Sequence, residues 1–293
     1  MTGGERALAT SLLLARINAG EQPRREHQLL ERLQTAATAA GCDAPDLVTA
    51  LYVCLKLHWT SIICGPARDR AMCWLEALTT TMVGADSGQT IQMHGPIGAD
   101  AMTQRFAAVR LGDFVATALE QAEQTKAWFV LVDTPGAPTT MLRWLEAEVA
   151  AVLRAHGRPP HVLPRNLFVL AVAEAWPSEI QRCWLPLALP IGADVAGERS
   201  VALTPPVGYQ RQLLEYQLTG RAYRRWLRDA QRGTDRLQTA PAWSDHASRV
   251  QRWLAASVDQ HQQGLWAPTD PEANTGKALA MLAALQHVPP SVM

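Results

Sequence analysis

"SIICGPARDRAM", residues 61–72, is the stretch on which the fold turns. An apolar run leads into Gly65-Pro66 and polar turn residues. Met72, Leu75, Leu78 and Met82 then recur at helical spacing, which predicts a helix over 69–82. Strand, tight turn and helix in that order open a βα unit, and the order repeats downstream. "QTIQM", 89–93, reads as a strand and "GDFVATALEQAEQ", 112–124, as a helix. "WFVLVD", 128–133, is apolar up to Asp133. A helix over 138–156 follows, with Leu142, Leu145, Val149 and Val152 on one face. "NLFVLAVA", 166–173, is apolar after its first residue, and "WLPLAL", 184–189, reads as an edge strand because Pro186 has no N–H to give a ladder. Unbroken apolar strands are buried on both faces, as in a parallel sheet. Alternation from 61 to 190 therefore predicts an α/β fold with a doubly wound parallel sheet. Residues 94–110 carry Gly and Pro early and read as a loop or lid.

Helical patterns flank this core. Residues 5–19, 23–40 and 44–59 read as helices, the second starting at Pro23 and stopped by Gly41. From 207 onward the pattern is helical throughout. The expected organisation is an N-terminal helical segment (1–44), an α/β domain (45–205) and a C-terminal helical domain (206–293).

Lys+Arg and Asp+Glu both number 27, so global charge selects no polyanionic partner and only a local patch would. "SLLLARINAG" is too short to be a secretory signal, and there is no apolar run of membrane-spanning length. A cytoplasmic protein without membrane contact is expected. The five cysteines are odd in number and form no C-x-x-C pair, and the histidines form no H-x-x-x-H pair. Buried thiols in a reducing compartment fit better than disulfides or a metal site. Ten tryptophans against four Phe and four Tyr exceed ordinary core use and leave room for a few as partner anchors.

Ligands of open α/β sheets bind at the carboxyl ends of the strands, which draws attention to Gly65 and Asp133. "SIICGPARDRAM" occupies the place of a phosphate-binding loop, "WFVLVDTPG" that of a strand ending in a metal-orienting acid, and "PRNLFVLAVAE" that of a sensing strand. "WPSEIQRCWLPLALP" then leads into a last strand. On these segments, residues 45–230 resemble an AAA+ P-loop ATPase module, nearest the McrB/MoxR-type branch. The resemblance implies a P-loop NTPase-like sheet with the helical tail as its lid domain.

The same resemblance implies that hydrolysis is lost. A P-loop, Gly-x-x-x-x-Gly-Lys-Ser/Thr, needs glycine, lysine and a hydroxyl where Arg70, Ala71 and Met72 stand. Asp133 keeps the metal-orienting acid, but Thr134 takes the place of the water-activating glutamate, and Glu174 that of the sensor asparagine. Each loss removes transition-state stabilisation of several kcal/mol, about the scale of a single catalytic group. Arg182 matches the arginine that serves a neighbour's site in trans, with Gln181 in place of the usual acid before it. No cofactor is expected. Weak binding of ATP or GTP with magnesium is the alternative, through Arg68, Arg70 and the helix N-terminus; the plainer reading of the same turn is that Asp69 caps the helix.

Other motifs compete for these residues. "DTPG", 133–136, matches the Asp-x-x-Gly motif of GTPases, but no guanine-binding Asn-Lys-x-Asp accompanies it, and Pro135-Gly136 also reads as a plain turn. "NTGKAL", 274–279, has Pro271 where its upstream glycine belongs. Glu146 and Glu148 fall on different helix faces, and no nucleophile elbow exists. Arg221, Arg225, Arg228, Arg232 and Arg236 recur at steps of three and four. They form one stripe, with Trp226 beside it, if the helix passes Gly233. Such a stripe suits a phosphate backbone, an acidic subunit or plain solvent. The expectation is a catalytically inactive AAA+-like scaffold or adaptor, not an enzyme. Its partners would be protein subunits, including an active AAA+ ATPase, in a hetero- or homo-oligomer of prokaryotic restriction, defence or chaperone type. A nucleic-acid-binding module is the runner-up, and a residual NTPase the third reading.

Overall fold

The structure, a computed structural model, describes residues 28–42, 44–56, 58, 60–65, 68–94, 100–122, 126–134, 138–174 and 185–188. Helix α1 covers 28–39 and is followed by α2 (Pro45–Lys56), β1 (Ser61–Cys64) and α3 (Arg68–Val83). Next come β2 (Thr90–His94), α4 (Ala101–Glu120), β3 (Trp128–Asp133), α5 (Pro138–Ala155), β4 (Leu167–Ala173) and β5 (Leu185–Ala188). All strand pairs are parallel, in the order β2-β3-β4-β1-β5. The α/β class and parallel sheet read from the sequence are thus present. β5, with Pro186, lies at an edge of the sheet.

Alternate residues of β1, β3 and β4 feed two separate cores, as the period of two requires. Ile63, Phe129, Leu131, Phe168, Leu170 and Val172 meet α1, α2 and α3. Ile62, Val130, Val132, Val169 and Ala171 meet α4 and α5 on the other face. Crossover handedness explains the sorting. The chain moves one way across the sheet from β1 to β2 and the opposite way from β2 to β3 and from β3 to β4. Right-handed crossovers then place α3 on one face and α4 and α5 on the other. The leucines of α1 (Leu29, Leu30 and Leu33) share one apolar cluster with α2 and α3. Left-handed glycines end three helices: Gly41 (φ 88°), the stop read from the sequence, Gly84 (φ 91°), whose N–H donates to Thr80 O at 2.8 Å after α3, and Gly157 (φ 66°), beyond which Arg158 N–H donates to Leu153 O at 2.8 Å after α5.

One expectation fails. Residues 101–110, read as part of a loop or lid, are the first half of α4. Asp100 is the cap, with its carboxylate accepting from Thr103 N–H at 2.8 Å. The reading erred because Gly95, Pro96 and Gly98 outweighed the helical spacing of Met102, Phe106 and Val109. The C-terminal helical domain (206–293) lies outside the described residues.

Two polar residues tie the amino edge of the sheet. Buried Asn166 donates from Nδ2 to Ala118 O at 2.8 Å, and its backbone carbonyl accepts from Trp128 N–H at 2.7 Å, which joins β4, α4 and β3. The Asn166→Leu variant would strand the Ala118 carbonyl, and urea unfolding should show a loss of about 1–3 kcal/mol. His58, at φ 59°, donates from Nε2 to Leu167 O at 2.9 Å and packs edge-on against Phe168. Burial lowers its pKa from the ordinary 6.5, against the upward pull of the Leu167 and Pro164 carbonyls. The folded state therefore disfavours the proton that the unfolded chain binds below 6.5. The stability due to neutral His58 is complete above that pH and is lost as the pH falls toward the folded pKa. Unfolding free energies of wild type and His58→Asn at pH 7.5 and 5.5 check this. The acid-induced loss should be smaller in the variant, and equal losses would refute it.

Candidate functional site

The direction in which the chain leaves the sheet fixes where a ligand crevice can form. After β1 the chain turns to the α3 face; after β3 it turns to the α5 face. The reversal opens the carboxyl edge around β4, which lies between them, and such a switch point is where open α/β sheets bind ligands. Gly65, Asp133 and Glu174 end or follow the three strands there.

That edge is held by an arginine. Arg68, the first residue of α3, brings Nε to 3.2 Å from Asp133 Oδ1 and Nη2 to 3.1 Å from Asp69 Oδ1. The Arg68 and Asp133 side chains are only 18% and 14% exposed. The Nε–Oδ1 approach meets ion-pair distance without the alignment of a hydrogen bond, so the contact is one of charge. Burial pulls the Arg68 pKa down, while the Asp69 hydrogen bond and the fields of Asp133, Asp69 and Glu174 push it up. The balance is upward, and the guanidinium stays charged. On its other side, Asp133 Oδ2 lies 3.6 Å from Nδ1 of exposed His94, its register partner at the end of β2.

The phosphate-loop positions are differently placed from what their spacing suggests. Only residues 65–67 connect β1 to α3, because the helix already begins at Arg68. Gly65 N–H donates to Ala173 O at 3.0 Å and so extends the sheet. Arg70 is half-buried in the first helical turn. Ala71 is fully buried and Met72 nearly so, in the core shared with α1 and α2. Residues at 71 and 72 thus point away from the crevice. Asp69 lies inside the helix and pairs with Arg68, so it is not the cap. Pro66 is outside the described residues.

Nucleophiles are equally withheld. Buried Thr134 donates from Oγ1 to Val172 O at 2.6 Å, and its N–H donates to the same carbonyl at 3.1 Å. The place of a water-activating glutamate is therefore a staple between β3 and β4. Burial pushes the Cys64 thiol up to about 12, which keeps it protonated. Glu174 is exposed at the end of β4. Among the described residues, no three His, Cys, Asp or Glu side chains gather as a metal site. No helix among them is long and apolar enough to cross a membrane.

The structure brings Asp133 and Glu174 to one edge, as their strand-end positions suggest. It adds His94, which only the β2–β3 register reveals, and it makes Arg68 the centre of the cluster. Arg182, Arg221, Arg225, Trp226, Arg228, Arg232 and Arg236 lie outside the described residues. Comparison with protein-family models, curated proteins and solved structures finds no match.

If Arg68 and Asp133 act as a pair, each single removal strands a partly buried charge. Arg68→Met and Asp133→Leu should each cost about 1–3 kcal/mol, and the double variant less than their sum. Strict additivity in chemical denaturation would show that the two are independent.

Proposed function

We propose that this chain is a catalytically inactive AAA+-like module that serves as a scaffold or adaptor for partner subunits. The observation that carries the reading is the Arg68–Asp133 pair at the switch point. In a working P-loop site the strand-end aspartate orients magnesium, and a loop lysine meets the phosphates. Here a side-chain cation lies against that aspartate, and a three-residue connection replaces the loop that would wrap a phosphate. Thr134 supplies neither acid nor free hydroxyl. Among the described residues at this edge, Thr134 is bonded to the sheet and Cys64 is held protonated, so neither supplies the group that would lower the barrier to phosphoryl transfer.

On this reading the sheet and its helices are kept for their shape. An AAA+ module packs its nucleotide edge against a neighbour, and a copy without chemistry retains that use. The C-terminal lid (206–293), Arg182 as a trans-acting arginine and an active ATPase as partner complete the proposal, in a prokaryotic defence or chaperone-like assembly. Isothermal titration of the full chain with ATP and with GTP, each with Mg²⁺, tests the loss of chemistry. No saturable heat and no phosphate release are expected; tight binding or turnover would overturn the reading. Size analysis of the chain drawn from its native host tests the scaffold role, and recovery solely as a free monomer would count against it.

A further inference from the structure

Helix α4 is longer than the sheet it covers. Its 20 residues span about 30 Å, against roughly 17–20 Å for strands of five or six residues. Its buried residues, Leu111, Val115, Ala118 and Leu119, all belong to the second half. The first half runs past the sheet at the carboxyl edge, where β2 ends. Met102, Phe106 and Val109 are 83%, 71% and 56% exposed there, three of the four large apolar residues exposed among those described.

These three are spaced by four and three residues. At about 100° per residue they share a stripe roughly 60° wide, the a/d spacing of a helix–helix seam. Asp113 ends the stripe one step further on. Arg105 and Arg110 border it, each about 40° outside, in the e and g places that choose coiled-coil partners. Both arginines are exposed, and neither forms an ion pair among the described residues. Self-pairing is therefore disfavoured. A parallel copy would set Arg105 against Arg110, and an antiparallel copy would set each arginine against its own mate.

We propose that the first half of α4 is a docking surface for an amphipathic helix of a partner protein, one whose apolar seam is bordered by Asp or Glu. The proposal names the surface that the scaffold reading needs and rests on that reading for the existence of a partner. It does not depend on the nucleotide chemistry of the carboxyl edge.

The test uses the full chain and two synthetic helical peptides with the same leucine seam, one bordered by glutamates and the other by lysines. Fluorescence anisotropy should show binding of the glutamate peptide alone. Phe106→Ser, and separately Arg105→Glu/Arg110→Glu, should each weaken it about tenfold or more. These positions are exposed, so circular dichroism should find both variants folded. Charge reversal should also transfer preference to the lysine peptide. Equal binding of both peptides, or no binding of the glutamate peptide, would overturn the proposal. So would a photocrosslinker at position 106 that reacts only within its own chain or with a second copy. Nucleotide turnover by the same preparation would sink the inactive-module reading while leaving these peptide results to stand or fall alone.

Discussion

The central constraint is the burial of β4. All seven residues, Leu167–Ala173, are buried, with β1 on one side and β3 on the other. A strand so enclosed needs apolar side chains on both faces and every N–H and C=O paired within the sheet. Helices on both faces follow from the first need, and parallel neighbours joined by helical crossovers follow from the order of the chain. The two cores, one under α1, α2 and α3 and one under α4 and α5, are the two faces of this strand.

The same enclosure governs the carboxyl edge. With β4 in the middle, β1 and β3 deliver Gly65 and Asp133 to either side of it, where a ligand crevice would open. α3 starts so close to β1 that its first side chain, Arg68, reaches Asp133. Thr134 bonds back to the Val172 carbonyl. Charge pairing thus engages Asp133, and sheet bonding engages Thr134. What is left outward is the protruding half of α4, apolar at its centre and basic at its borders. On the proposed scaffold reading, this surface is the one that would hold a partner.

Much of the fold was legible because strand burial writes itself into composition. "SIIC", "WFVLVD" and "LFVLAVA" could be read as strands to within a residue, and α3 and α5 from their apolar spacing. The edge position of β5 followed from Pro186. Gly65 and Asp133 were legible as strand-end residues, and Glu174 was singled out only through the family resemblance. Three features were not. The first half of α4 carries Met102, Phe106 and Val109 at helical spacing, but Gly95, Pro96 and Gly98 just before it drew the loop reading across it. His94 meets Asp133 only through a strand register that sequence does not encode locally. The spacing of Arg70, Ala71 and Met72 from Gly65 suggested a degraded loop, whereas the early start of α3 turns Ala71 and Met72 into core residues. The apolar spacing from Met72 sets the helix start at 69, within one residue of Arg68, so periodicity and the motif count point different ways at these positions.

On the proposed reading, the carboxyl edge is closed to nucleotide by its own Arg68–Asp133 pair. The most direct measurement is the melting temperature of the full chain across a range of Mg·ATP concentrations. A ligand bound only to the folded state at a hundred times its Kd adds about 2.7 kcal/mol, which a melting curve resolves easily. The melting temperature should not move with Mg·ATP beyond the effect of matched salt. A saturable rise in wild type that is lost in Asp133→Asn would contradict it.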